Sequence, residues 1–232
     1  MTSFVVCTPS RGLIHSRTVE AVMAGIATAV AAGHESRGWI VSHDLPIPDC
    51  HERVFELGMA TGADVLWSIE EDMVPPAGAL LASIELGADI AAMQYPVGLP
   101  SGMVDVKGKA ATGTFNCLQA SPGGVFDWCG LGCTLISRRV FEALPRPWFA
   151  TDKTYEVWHF GNVKTTRNIV DNPFDYGGED VNFGQRVTEL GFVIRQVPGM
   201  AGHALLLNWG TYAVQDGRHG IVVRDTIERM IP

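Results

Sequence analysis

The stretch Asp64-Val65-Leu66-Trp67-Ser68-Ile69-Glu70-Glu71-Asp72-Met73-Val74-Pro75-Pro76 decides how the rest of the chain is read, because an apolar run stops there on three consecutive carboxylates. Val65 to Ile69 predicts a buried central strand of parallel type: it is short, rich in β-branched and aromatic residues, and bounded by a polar start and a double proline. The carboxylates then lie at its C-terminal end, the edge of an open α/β sheet where ligands bind. Side chains two apart share one side of an extended chain. Glu70 and Asp72 are therefore expected to point together as hard oxygen ligands for a divalent cation shared with a phosphate, with Glu71 facing elsewhere. The competing local reading is that Pro75 and Pro76 start a helix and the acids pair with its dipole.

Toward the N-terminus, Phe4-Val5-Val6-Cys7 predicts a strand broken by Thr8-Pro9-Ser10-Arg11-Gly12. A helix follows over Thr18 to Ala32, with Val19, Val22, Met23, Ile26 and Val30 at the spacing of an apolar face and Gly33 as its stop. Trp39 to Val41 predicts a second strand, and Asp49 to Ala60 a helix with Asp49 available as N-cap. Beyond the acidic stretch, Ala77 to Leu86 predicts a helix and Asp89 to Met93 a strand. The first hundred residues thus alternate strand and helix, as a parallel nucleotide-binding sheet does. From Pro96 to Phe126 glycines and prolines break the pattern into pieces more like hairpins.

Gly130 to Ile136 returns to a buried strand flanked by glycines that let backbone approach something closely. A short helix, Arg138 to Leu144, stops at Pro145. Pro147 to Asp175 is long, aromatic and polar, the pattern of a lid or binding surface. Gly177-Gly178-Glu179-Asp180 opens a helix running to about Leu190. Phe192 to Ile194 predicts a strand, Gly202-His203 stands beside another, and Val223 to Met230 closes as an amphipathic helix.

A chain of 232 residues with 47% hydrophobic and 18% charged residues can bury a substantial core, and one domain is expected. The net charge of -8 argues against a surface built to grip a nucleic-acid backbone. No run approaches the roughly 18 apolar residues of a membrane span, and the N-terminus lacks the basic region of a signal peptide. A soluble, cytoplasmic protein is expected, in the host cytoplasm if it is viral. The five cysteines lack paired spacing, so no disulfide framework or structural zinc site is expected, and Cys50-His51 with His203 lacks the spacing of a zinc hydrolase.

Three polar features stand in order: Glu70-Glu71-Asp72 after a strand, Gly178-Glu179-Asp180 opening a helix, and Gly202-His203 beside a late strand. With the Thr8 to Gly12 opening, they resemble a glycosyltransferase of the GT-A type, as found in small bacterial and bacteriophage enzymes. The resemblance implies a single α/β domain, a Rossmann-like mixed sheet flanked by helices. Residues 1–95 would form the nucleotide-sugar-binding half, 96–207 the acceptor-binding half and 208–232 a tail. It also implies that Glu70-Glu71-Asp72 takes the place of the family's Asp-x-Asp motif, with Asp72 on the cation and Glu70, in place of the usual first Asp, reaching the metal shell or donor ribose. His203 matches the late metal-ligand histidine, and imidazole with carboxylate suits Mn²⁺ better than Mg²⁺. Asp180 would be the base of an inverting enzyme, with Glu179 contacting the acceptor. Thr8, Pro9, Ser10, Arg11, Arg53 and Glu71 would serve the donor nucleotide, and Trp128, Gly130, Leu131 and Gly132 the donor sugar. Trp148, Trp158 and Phe160 are candidates to stack on sugar faces, with core packing as the alternative for each.

The implied partners are a nucleoside-diphosphate sugar and a hydroxyl-bearing acceptor, which is protein, glycan, lipid-linked or a modified base, with DNA the least favoured by charge. Two other functions compete. A sugar nucleotidyltransferase also binds metal through acids, but Thr8 to Gly12 is poor in the glycines and cations that cradle a triphosphate. A non-catalytic nucleotide- or carbohydrate-binding module would keep the fold without turnover.

Overall fold

The computed structural model describes residues 1–10, 12–43, 45, 48–95, 117–121, 124–149, 155–159, 163–167, 178–205, 210–215 and 218–223. The acidic stretch opens as expected on a strand, β3 (Val65–Ile69), whose neighbours are β1 (Ser3–Thr8) on one side and β8 (Cys133–Ser137) on the other. Between β1 and β3 lie α1 (Ser16–Ala31), β2 (Glu35–Val41) and α2 (Asp49–Ala60). After β3 come β4 (Met73–Val74), α3 (Ala79–Glu85) and β5 (Ile90–Gln94). The antiparallel hairpin β6 (Cys117–Ser121) and β7 (Val125–Cys129) precedes β8, which leads into α4 (Arg138–Ala143). The second hairpin, β9 (Tyr155–His159) and β10 (Val163–Arg167), forms a sheet of its own. Last come α5 (Glu179–Glu189), β11 (Ile194–Met200), β12 (Gly202–Leu205), β13 (Gly210–Gln215) and β14 (Arg218–Val223).

Eight strands form one mixed sheet in the order β2-β1-β3-β8-β5-β11-β7-β6. β1 runs parallel to β2 and β3, and β5 parallel to β11. β8 is wedged between β3 and β5, antiparallel to both, so β3 is central but parallel on one side only. The fold class is therefore α/β with a mixed sheet, as expected: the first-half strands β2, β1, β3 and β5 all run the same way, and β8 is inserted between β3 and β5.

The sheet separates two cores, and the period-2 alternation of strand side chains assigns residues to them. Val5 and Cys7 of β1 and Leu66 of β3 face Val54 and Phe55 of α2, Phe141 of α4 and Phe183 of α5. Phe4, Val6, Trp67 and Ile69 face Val22 of α1 and Leu80 of α3. Cys129 and Cys133 fall in opposite cores. Gly58 lets α2 lie close against the sheet, since a Cβ there would meet Cys7 Sγ at 2.7 Å and Leu66 Cδ2 at 2.8 Å.

Several local expectations change. Asp49 is the first residue of α2 rather than its cap, which is Pro48. On α1 the buried side is Thr18, Ala21, Val22, Gly25 and Ala29, while Val19, Met23 and Val30 are exposed. The reason is Trp67: its ring lies 3.0 Å from where a Gly25 Cβ would be, so only a small-residue face fits against it. Part of the long stretch after Pro147 is the β9–β10 hairpin, and Val223 ends a strand instead of starting a helix. Residues 96–116, the aromatic Phe160 and residues 224–232 lie outside the described residues. Among the described residues no helix is long and apolar enough to cross a membrane.

Candidate active site at the acidic turn

A second, four-stranded sheet, β14-β13-β12-β4, builds the site. β4 begins immediately after the three acids and pairs antiparallel with β12, placing His203 opposite Met73 and Gly202 opposite Val74. Ala204 N donates to Asp72 O at 2.7 Å. That register carries two side chains 131 positions apart into contact, with Asp72 Oδ2 2.9 Å from His203 Nε2. Both stay partly open to solvent, at 18% and 22% side-chain exposure, as a ligand-binding pair must.

The segment between β3 and β4 is not extended. Met73 N donates to Glu70 O at 3.2 Å, closing a turn over Glu70, Glu71, Asp72 and Met73. Glu70 and Asp72 accordingly take different partners instead of pointing together. Glu70 Oε1 lies 3.7 Å from Nε2 of His51, a buried residue in the first turn of α2. Glu71 turns inward, where its Oε2 accepts from Ser10 Oγ at 2.9 Å, and its carbonyl accepts from His15 N at 2.9 Å. The turn is thus fastened to the loop that leaves β1.

Asp72 and His203 fit a divalent cation. Two cis ligands with bonds of about 2.1 Å stand roughly 3 Å apart in an octahedral shell, the spacing these atoms already have. A 2.9 Å approach of carboxylate oxygen to imidazole nitrogen is the length of a hydrogen bond, with Nε2–H of His203 donating to Asp72 Oδ2, and a metal can take the place of that hydrogen. Among the described residues no three His, Cys, Asp or Glu side chains gather as a metal site; Glu70 approaches His51 at 3.7 Å, and Asp72 meets His203.

The second acidic pair is carried by α5. Gly178 takes φ +105°, a left-handed conformation that suits glycine, and turns the chain so that Glu179 and Asp180 open the helix. Glu179 is buried, and burial raises its pKa with help from Glu70 while His51 opposes. Asp180 is half-buried, with Oδ1 accepting from Val181 N at 2.7 Å. Burial first, then the neighbouring Glu179 charge and Glu70, push its pKa up to about 7 against the pull of His51 and the Val181 N–H.

Gly132 shows what the flanking glycines admit. A Cβ there would stand 2.7 Å from the Tyr95 ring and hydroxyl, and Gly132 N donates to Tyr95 Oη at 3.0 Å. Gly132 O accepts from Glu70 N at 3.2 Å, so the glycine backbone touches the acidic turn directly. Gly130 O accepts from Thr134 Oγ1, and Leu131 is buried in the core. Buried Tyr95 also meets the His203 ring edge-on at 6.2 Å, and burial, with the charges of Glu70 and Asp180, raises its pKa well above the ordinary value.

The remaining sequence-derived residues divide. Thr8, Pro9 and Ser10 are buried at the end of β1, with Thr8 Oγ1 accepting from Trp39 Nε1 at 2.9 Å. Arg11 lies outside the described residues. Arg53 pairs with Glu56 at 2.9 Å on the exposed side of α2. Trp148 is not a sugar platform: it is 6% exposed, packs on Phe141, and its Nε1 donates to Phe141 O and Leu144 O. The sequence reading missed His51 and Tyr95. Their signals were a histidine on the apolar face of α2 beside Val54 and Phe55, and a tyrosine ending an apolar strand.

The fold is a mixed α/β architecture, and its likeness to solved structures is one of fold. In particular, the chain is similar to the crystal structure of A197 from STIV, with 17% sequence identity, coverage of 100% of this chain and 99% of that chain, and a TM-score of 0.54. No family model matches the sequence. No curated protein matches it either.

Proposed function

We propose that the chain is a metal-dependent glycosyltransferase that moves a sugar from a nucleoside diphosphate to an acceptor hydroxyl with inversion. The observation that carries this reading is the meeting of Asp72 with His203 at 2.9 Å, beside an acidic helix start on α5. Asp72 and His203 would hold a divalent cation. When bound, the cation offsets negative charge on the departing diphosphate. Ser10 and Glu71 join the β1 loop to the turn, which couples nucleotide contacts on that loop to the position of Asp72.

Asp180 takes the proton of the acceptor hydroxyl. The freed oxygen lone pair bonds to the anomeric carbon as the bond from that carbon to the diphosphate oxygen breaks, its electron pair leaving with the diphosphate. A carboxylate poised at about 7 is matched to this task, since a base works best near the operating pH. Glu179 and the Gly130–Gly132 backbone line the same approach.

The test is a screen of nucleotide-sugars for Mn²⁺-dependent sugar release or transfer, repeated with Asp72→Asn. The expected result is activity with one nucleotide class that needs the metal and vanishes in the variant, together with loss of Mn²⁺-dependent UDP or GDP binding by calorimetry. Wild-type turnover in Asp72→Asn counts against the site. Pyrophosphate release from a nucleoside triphosphate points to a nucleotidyltransferase, and binding without turnover to a non-catalytic module.

A further inference from the structure

Tyr95 follows directly on β5, and the proposed reaction gives it no part. It is 4% exposed, yet both its hydroxyl and its ring reach toward the Asp72–His203 pair. The hydroxyl accepts from Gly132 N at 3.0 Å, the Gly132 carbonyl accepts from Glu70 N at 3.2 Å, and the Glu70 carbonyl accepts from Met73 N, the bond that closes the turn carrying Asp72. The ring meets the His203 imidazole edge-on, with centroids 6.2 Å apart and planes at 85°. One residue earlier, Gln94 O accepts from Ala201 N at 2.8 Å, so the end of β5 also grips the chain where it enters β12.

A phenylalanine would fill the same space in the core. What the hydroxyl adds is an acceptor for a buried N–H, and that contact exists only because residue 132 is glycine: a Cβ there would stand 2.7 Å from the hydroxyl. Edge-to-face contact is an orientation that ring pairs prefer at this spacing, so Tyr95 sets the plane of the imidazole as well as its place.

We propose that Tyr95 is a positioning residue: its hydroxyl, through Gly132, holds the turn that carries Asp72, while its ring holds the plane of His203, so that carboxylate and imidazole are set to receive a divalent cation together. The cation rests on the transferase reading; the hold on the two side chains does not. A pair drawn from positions 131 apart and left partly open to solvent takes its alignment from the groups behind it, as metal ligands do from their outer shell.

The experiment pairs ¹H–¹³C and ¹H–¹⁵N spectra of the metal-free full chain with Mn²⁺ titrations followed by electron paramagnetic resonance, at fixed pH, for wild type, Tyr95→Phe, Tyr95→Leu and Asp72→Asn. In the metal-free spectra Tyr95→Phe should shift the Gly132 amide and speed its exchange with solvent, while Tyr95→Leu should also move the His203 ring signals, identified by their absence from His203→Asn. Mn²⁺ affinity should fall by about tenfold in Tyr95→Phe, the low end of what outer-shell partners contribute, and further in Tyr95→Leu, with circular dichroism showing both variants folded. Asp72→Asn should abolish it. Wild-type Mn²⁺ affinity in both Tyr95 variants, or His203 signals that ignore Tyr95→Leu, overturns the inference. Should Tyr95→Leu fail to fold, a nuclear Overhauser contact between the two rings in wild type together with weakened Mn²⁺ binding in Tyr95→Phe supports it, and the absence of either overturns it. If wild type binds no Mn²⁺, the transferase reading loses its cation and the metal-free spectra decide alone: signals that move as stated keep the hold of Tyr95 on the pair, and unmoved ones end it.

Discussion

Asp180→Asn should kill transfer and stabilise the protein at the same time. An acid whose folded pKa exceeds its unfolded one holds its proton more tightly in the native state. Below about pH 4 both states are protonated and nothing is lost. Between its ordinary 3.8 and about 7 the unfolded chain ionises while the native carboxyl does not, so stability falls as pH rises, and above about 7 the loss is constant. That gap, at about 1.4 kcal/mol per pH unit, sets a ceiling of about 4 kcal/mol. Glu179 and His51 share the same field, and partial solvent access reduces the amount further, so about 2 kcal/mol is the working expectation.

Asparagine keeps the shape of the side chain and an oxygen that can accept from the Val181 N–H, which donates to Asp180 Oδ1 at 2.7 Å. It removes only the ionisation. Urea unfolding at pH 5 and pH 8 should therefore show Asp180→Asn gaining on wild type at pH 8 and much less at pH 5, while turnover drops by at least roughly a hundredfold with donor binding intact. A variant less stable than wild type at both pH values would refute the account of the buried acid, and unchanged turnover would remove Asp180 from the chemistry. The two outcomes are independent, because only the second depends on the reaction.

Two further predictions concern the scaffold. Gly58→Ala forces a Cβ to within 2.7 Å of Cys7 Sγ, and overpacking of this kind costs about 1–3 kcal/mol; the urea midpoint should fall, and an unchanged midpoint would show that α2 can lift off the sheet freely. Trp148→Phe removes the indole N–H from Phe141 O and Leu144 O and should cost about 1–2 kcal/mol in unfolding free energy while leaving the KM for donor sugar unchanged; a KM raised without a loss of stability would return Trp148 to the binding surface.

What could be read from the sequence was what is decided locally. The bounds of β3 and α2 follow from an apolar run ended by acids and from a helix set between Pro48 and Gly62, and both stand as expected. Which strand lies beside which is decided by distant partners. Val65 to Ile69 carries the same apolar signal whether its neighbour runs parallel, like β1, or antiparallel, like β8. The face of α1 differs for a related reason: Val19, Met23 and Val30 outline a stripe with Val22, yet only Val22 of these is buried, and Trp67 leaves no room for a Cβ at Gly25 on the buried side. His51 carried no pattern of its own, because the Glu70 it meets reaches it from another element.

The three consecutive acids act as a junction, and the turn is what makes them one. In an extended strand Glu70 and Asp72 would share a side and Glu71 would face the opposite way. With the chain closed by the Met73 N–H on Glu70 O, the three carboxylates diverge: Glu70 toward His51 on α2, Glu71 to Ser10 behind β1, and Asp72 to His203 on β12. The buried Glu71 cannot move without leaving an unpaired carboxylate in the interior, and that cost holds the turn in shape. Asp72 can therefore stay partly exposed and still be well placed, because its position is inherited from a neighbour that is not. A ligand pair open to solvent and a buried strut beside it are thus one device, and the rigidity of the first is supplied by the second.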